Sequence, residues 1–327
     1  MMKKICVTGA YGFIGKQICE FLADSNISVT GFVRDLNLSK NSSNIDYIPV
    51  GDIGLKTNLK SNLIGTDCII HCAGRAHVMN ETKVDSLKIY HSANVDGTKQ
   101  LAEQAVEAGV KRFIFLSSIK VNGEDTNNKH VDTGNNNPKK YVFTQNDEPN
   151  PEDPYSISKF QAEKKLWEIS ARTGLEVVIV RMPLVYGYGE KGNLLRLMKL
   201  INSGIPLPFS LINNKRSLIG IDNLINLLNC CIDHPNAIGK TFLVSDGKDL
   251  STPDLIKLIA SLIGRKAYLF PVPLFLLKFL SFIFGKQKEI SRLIGSLRVD
   301  NSYTKKILNW TPPISVEEGI RRMIKGK

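Results

Sequence analysis

The chain is short of cysteine, with six in 327 residues, and has no block of like charge and no repeated cysteine–histidine cluster. Each absence excludes something. Basic residues outnumber acidic ones 43 to 31, a net charge of +12, but they are scattered. A nucleic-acid-binding tail is therefore not expected, and the excess suits a phosphorylated substrate or a membrane surface. Cys6, Cys19, Cys68, Cys72, Cys230 and Cys231 mostly sit inside apolar runs, where a free thiol acts as a small hydrophobe. They read as reduced, which implies a cytoplasmic protein. Cys68-Ile-Ile-His71-Cys72 has the residue types of a metal cluster. Strand alternation would put His71 on the face opposite the two cysteines, and no second cluster exists, so no metal site is expected. No signal peptide is expected either, because Met-Met-Lys-Lys leads straight into a strand-like run. At 43% apolar and 23% charged residues, the composition is that of a folded soluble protein.

What is present is an alternation. "KKICVTGA" reads as a strand, Phe13–Asp24 as a helix, and "ISVTGFV", "DYIPVGDI" and "DCIIHCAG" as further strands. A helix over 84–108, stopped by Gly109, precedes the strand "RFIFLSS". A helix over 156–173 precedes one long strand, "LEVVIVRMPLVYG". Such alternation implies right-handed βαβ units: an α/β, Rossmann-type doubly wound parallel sheet. The expected division is a dinucleotide-binding domain over 1–186 and a smaller α/β substrate lobe over 187–327, with the chain free to cross between them. Residues 122–140 are Asn-rich and read as an exposed, mobile loop over the site. The segment 271–286, "PVPLFLLKFLSFIFGK", stands out in the second half. As a helix its apolar part spans about 16 Å, half a bilayer core, so it cannot cross a membrane. It reads as a buried or dimer-interface helix; the alternative is a patch resting on a membrane, aided by Lys286 and Lys288.

"VTGAYGFIGKQI" follows the first strand and opens the first helix. Gly9, Gly12 and Gly15 permit a tight turn and close approach of backbone N–H groups to a pyrophosphate. A dinucleotide cofactor is therefore expected. At the end of the second strand, Arg34 occupies the slot where an acid would bind ribose hydroxyls, which leans towards NADP; Asp35 beside it keeps NAD open.

Together with "GDI" at 51–53, "HCAG" at 71–74, "NVDGT" at 94–98, "LSSIKVNGE", "YSISK", "RMPLVYG", "RSLIGIDN" at 216–223 and "ILNWTPPISVEEGI", these motifs run in order along nearly the whole chain. The sequence resembles the extended short-chain dehydrogenase/reductases, in their nucleotide-sugar epimerase/dehydratase branch. The likeness is strongest to bacterial 4-epimerases and 4-ketosugar reductases of surface-polysaccharide (O-antigen) synthesis. It implies cofactor contacts from Gly9, Gly12, Phe13, Ile14, Gly15, Arg34, Asp52, Ile53, Ala73, Gly74, Tyr155, Lys159 and Pro183. It implies Ser118, Tyr155 and Lys159 as the catalytic trio, with Ser117 packed or bonded to backbone behind Ser118. Asn94 would support the active-site backbone, and Arg216 and Asn193 would contact a substrate diphosphate. The likeness further implies a homodimer and a UDP-hexose or UDP-N-acetylhexosamine substrate, such as UDP-GlcNAc.

The chemistry agrees with that trio. Oxidation at a sugar C4 needs a base, and a phenol with pKa about 10 must be helped to ionise. Lys159, at i+4 from Tyr155, lies on the same helix face and favours the phenolate. Ser118 at a strand end can hydrogen-bond the C4 oxygen. A 4-epimerase is the first expectation, and an NADPH-dependent 4-ketoreductase of a UDP-4-keto-6-deoxy-hexosamine the second. A membrane-associated epimerase of polyprenyl-diphosphate-linked GlcNAc is the third. A 4,6-dehydratase would carry an acid pair where this chain has Ile119-Lys120, and a regulator without catalysis would not need the intact trio.

Overall fold

Runs of Val, Ile and Phe separated by amphipathic stretches build the expected parallel sheet. The structure, a computed structural model, describes residues 2–36, 44–75, 83–127, 130–131, 139–190 and 192–326. The first elements are β1 (Lys4–Thr8), α1 (Phe13–Asp24), β2 (Ser28–Val33), β3 (Ile45–Pro49), α2 (Lys60–Leu63) and β4 (Cys68–His71). Next come α3 (Lys83–Tyr90), α4 (Gly97–Glu107), β5 (Arg112–Ser118), the short β6 (His130–Val131) and β7 (Lys139–Lys140), and α5 (Pro154–Thr173). The remainder holds β8 (Glu176–Met182), β9 (Leu184–Tyr186), α6 (Asn193–Asn202), β10 (Leu218–Gly220), α7 (Ile221–Asp233) and β11 (Lys240–Leu243). The chain closes with α8 (Thr252–Leu262), α9 (Leu274–Ile283), α10 (Gln287–Ile294), α11 (Ser302–Leu308) and α12 (Val316–Lys325).

The main sheet has seven parallel strands in the order β11-β8-β5-β4-β1-β2-β3. The order reverses between β1 and β4, which places a crevice at their C-terminal ends. Alternate strand residues feed two cores. Val7, Ile70 and Ile114 pack with Leu22 of α1 and Leu224 and Leu228 of α7. Cys6, Ile69 and Phe113 pack with Leu101 of α4 and Leu166 of α5 on the other face. A third core gathers Tyr186 of β9 with Leu194 of α6, Ile256 and Ile259 of α8, and Ile320 of α12.

Four expectations are corrected. The single helix over 84–108 is α3 and α4 joined by a π-helical segment, His91–Asp96. The long strand after α5 is two strands. Pro183, which has no N–H to donate, separates β8 from β9, and β9 leaves the main sheet to pair with β10. One edge strand of the main sheet, β11, comes from the second half of the chain, the crossing that the expected division left open. The start of the Asn-rich segment is not exposed: Asn122 and Thr126 are buried, and Thr126 N donates to Ser296 O at 2.8 Å. Residues 128–129 and 132–138 of that segment lie outside the described residues. Finally, α9 is not buried within the chain. Only Leu277 and Ser281 of this helix are covered, while Phe275 is 74% and Phe282 71% exposed. Among the described residues no helix is long and apolar enough to cross a membrane.

Candidate active site

The turn after β1 is shaped by two glycines. Gly9 has φ +66°, the left-handed region, and a Cβ there would come within 3.0 Å of the Ala73 backbone. A Cβ on Gly15 would run into the Gly9 carbonyl. Gly12 caps α1 without a side-chain cap, no acid sits in the first helical turn, and Phe13 and Ile14 are half-buried. The result is a concave backbone surface whose N–H groups are not screened by side chains, which fits a dinucleotide pyrophosphate.

His71 ties this turn to the neighbouring strand. Its Nδ1 lies 2.7 Å from Thr8 Oγ1 and its Nε2 3.0 Å from Thr98 Oγ1. Thr98 donates its proton to Asn94 O, so it accepts from Nε2–H, and Nδ1 accepts from Thr8. Thr8 Oγ1 in turn accepts from Ala73 N at 3.0 Å. Burial, helped by the Lys159 charge, pulls the His71 pKa down to about 3, so the ring is neutral. Burial pushes the Cys68 and Cys72 thiols up to about 12, and they pack as protonated side chains.

Lys159 joins that turn to β5. Its Nζ donates to Leu116 O at 2.9 Å and stands 4.4 Å over the Phe115 ring. A Cβ on Gly74 would lie 3.2 Å from both this Nζ and Asn94 Oδ1, so the Ala73–Gly74 backbone passes directly beside the amine. Burial lowers the Lys159 pKa to about 8, against the pull of Cys72 and Glu163. Tyr155, one turn earlier on α5, makes an edge-on contact with Tyr90, and burial pushes its phenol up. Ser118 is the last residue of β5, buried, with its Oγ accepting from Lys120 N at 3.3 Å. Asn94 sits in the π-helical segment. Its amide donates to Ser158 Oγ (2.9 Å) and Arg75 O (3.1 Å), and its oxygen accepts from Arg75 N (2.8 Å).

Ser117 is buried behind Ser118, the packed setting of the two expected for it. Its hydroxyl donates to the Glu163 side chain of α5. Glu163 also receives Arg181 Nε (3.0 Å) and Nη2 (2.6 Å), and Arg181 Nη1 donates to Asn122 Oδ1 (3.0 Å). This fully buried network behind Ser118 escaped sequence reading; its only signal was a glutamate on the same helix face as Lys159. Lys120 was missed in the same way. Its Nζ donates to Asp153 Oδ2 (2.6 Å) and Glu124 Oε1 (2.7 Å). Asp153 caps α5 through Ser156, so Lys120 ties the turn after Ser118 to the helix start that carries Tyr155. Burial raises the Asp153 pKa, but the Lys120 and Ser156 contacts outweigh it and hold the carboxyl at about 2.

Arg34 and Asp52 form an exposed ion pair at 2.7 Å after β2 and β3, with Ile53 half-buried beside them. Pro183 is buried at the break between β8 and β9. Arg216 donates through Nη1 to Arg292 O (2.9 Å) and Gly295 O (3.2 Å) at the end of α10. Asn193 is the first residue of α6; its side chain lies outside the described residues.

Comparison with known proteins agrees with this geometry. A family model described as the NAD dependent epimerase/dehydratase family matches residues 5–245. The chain is 42% identical over 324 residues to the UDP-glucose 4-epimerase of Vibrio cholerae, covering 98% of this chain and 94% of that one. It is 28% identical over 306 residues to the N-acetyl-alpha-D-glucosaminyl-diphospho-ditrans,octacis-undecaprenol 4-epimerase of Escherichia coli O157:H7, covering 89% and 84%. A solved structure of the UDP-glucuronic acid 4-epimerase of Bacillus cereus in complex with NAD shares the fold. It superposes with a TM-score of 0.77 at 21% identity, over 99% of this chain and 98% of that one.

Proposed function

This chain belongs to the NAD-dependent epimerase/dehydratase family, and on that premise we propose that it is a nucleotide-sugar 4-epimerase acting on a UDP-hexose or UDP-N-acetylhexosamine. The observation that carries this reading is the Lys159 amine, which bridges the Gly74 backbone beside the glycine turn and the strand that ends at Ser118. The cofactor is NAD. Arg34 is paired with Asp52, so the second-strand slot is charge-balanced and the lean towards NADP loses its basis.

When bound, the nicotinamide ring supplies reversible hydride acceptance at sugar C4. Gly9, Gly12 and Gly15 would hold the pyrophosphate, and Lys159 the nicotinamide ribose. Tyr155 Oη takes the C4 hydroxyl proton as the carbonyl forms, and Ser118 Oγ hydrogen-bonds the same oxygen. Burial, with Asp153 and Tyr90 adding to it, favours the protonated phenol; the Lys159 ammonium, one helical turn along, would favour the phenolate. After the 4-keto sugar has turned over, Tyr155 returns the proton to the C4 oxygen. Arg216, fixed by two carbonyls, would contact the diphosphate.

The test is incubation with UDP-glucose and UDP-GlcNAc, without added cofactor, followed by product analysis. Conversion to the matching galacto sugar is expected. Turnover seen only as NADPH consumption with a UDP-4-keto-6-deoxy-hexosamine would replace the epimerase with a 4-ketoreductase.

A further inference from the structure

The C-terminal helices carry an exposed aromatic face that the sugar chemistry does not use. On α9, Phe275, Phe279 and Phe282 stand at i, i+4 and i+7 and are 74%, 59% and 71% exposed. Phe284 follows at 70%, and Leu274, Leu276, Leu280 and Ile283 fill the ground between them. Tyr268 and Phe270, just before the helix, extend the face. The loop holding them is anchored by hydrogen bonds from Leu207 N to Tyr268 O and from Phe270 N to Leu207 O. Leu277 and Ser281 are the buried residues of the helix, which packs beside α10, so its aromatic side faces outward. Monomer surfaces rarely expose so large a contiguous apolar patch without using it.

Charge identifies what covers it. Between Asp254 and Glu289 the chain contains Lys257, Arg265, Lys266, Lys278, Lys286 and Lys288, and no acid at all. Arg265, Lys266, Lys278 and Lys286 are exposed. Glu289, the first acid to follow, is paired with Lys286 at 3.8 Å. Two copies of this segment brought face to face would gather their cations and repel. An anionic surface would instead attract them while taking up the aromatic rings. The helix is about 15 Å long, too short to span a bilayer but suited to lying in its interface.

We propose that α9 and the loop before it dock this protein onto an anionic lipid bilayer, with Phe275, Phe279 and Phe282 entering the interface and the flanking cations meeting lipid headgroups. The face lies one element away from Arg216, whose guanidinium is held by carbonyls at the end of α10. Docking is independent of which sugar the site turns over.

The test is co-sedimentation with vesicles of phosphatidylcholine and phosphatidylglycerol in equal parts, against phosphatidylcholine alone, at low and high salt. Binding to the mixed vesicles at low salt is expected, weaker by tenfold or more in high salt or on phosphatidylcholine alone. The triple variant Phe275→Ser/Phe279→Ser/Phe282→Ser should lose at least tenfold in vesicle binding. It should keep the parent's circular dichroism, NAD affinity and turnover of a water-soluble nucleotide sugar. No binding by the parent, equal binding to both vesicle types, or undiminished binding by the triple variant would overturn the proposal. So would sedimentation showing that the parent is a dimer and the variant a monomer, since a second copy would then cover this face. Loss of sugar turnover in parent and variant alike, with vesicle binding intact, would count against the epimerase reading only.

Discussion

Lys159 is held in an environment that disfavours its charge, and that cost is informative. Burial brings its folded-state pKa to about 8 from an ordinary 10.5. Below about pH 8 both the folded and unfolded chains bind the proton, so the folded state bears the whole cost; it fades as pH rises towards about 10.5. Lys159→Met should therefore abolish turnover yet raise stability at pH 7 by about 1–2 kcal/mol, allowing for the orphaned Leu116 carbonyl. Urea unfolding should show the gain at pH 7 and its decline by pH 10. Tyr155→Phe tests the neighbouring role. Removing one hydroxyl should lower kcat by about 10²–10⁴ while NAD titration shows nearly unchanged affinity. Tyr155 and Lys159 were legible because one helical turn separates them in sequence. Glu163 was not, because its partners Ser117 and Arg181 come from different strands. His71 was read as a residue on the far face of a strand; its two threonine partners come from another strand and another helix.

At the scale of elements, the network behind Ser118 joins α5 to β5 and β8 through one ion pair. Glu163 and Arg181 are almost fully buried, at 2% and 7% side-chain exposure, so neither charge can turn to water. Glu163→Gln leaves Arg181 without a counter-charge and should cost about 3–5 kcal/mol in chemical unfolding. Arg181→Met should cost a similar amount, and the double variant less than the sum by at least about 1 kcal/mol. Alternating apolar runs made the strands of this frame readable. Pro183 was visible inside its run, but that it would hand β9 to a second sheet depended on β10, more than thirty residues later. The π-helical turn at His91–Asp96 left no mark in the apolar periodicity, yet it carries Asn94 between Arg75 and Ser158. The exposure of α9 was unreadable for a different reason. A helix apolar nearly all round has the pattern of a buried one, and only its sparse packing in the fold distinguishes the two.

Across the whole molecule, the second half of the chain crosses back over residue 186 and shares a core with the first half. β11 pairs with β8 from Lys240↔Val178 to Leu243↔Arg181, closing an edge of the main sheet. Ile221, Leu224, Leu228, Cys231 and Phe242 fill the same core as Val7, Ile70 and Leu22, and Trp310 is buried with them. Arg112 of β5 also donates to the carbonyls of Cys231 (2.9 Å) and Ile232 (2.7 Å) at the end of α7. A fragment of residues 1–186 would thus expose one face of its sheet to water, leave β8 as an open edge, and take the α7 carbonyls from Arg112, which would keep Glu176. Each of these is costly, and an open apolar edge favours aggregation. Full-length protein should unfold in urea with one transition by tryptophan fluorescence and circular dichroism alike. The 1–186 fragment should lack a cooperative transition and should bind NAD weakly or not at all, although it contains the whole glycine turn. A fragment that melts cooperatively and binds NAD like the parent would establish two separable folding units.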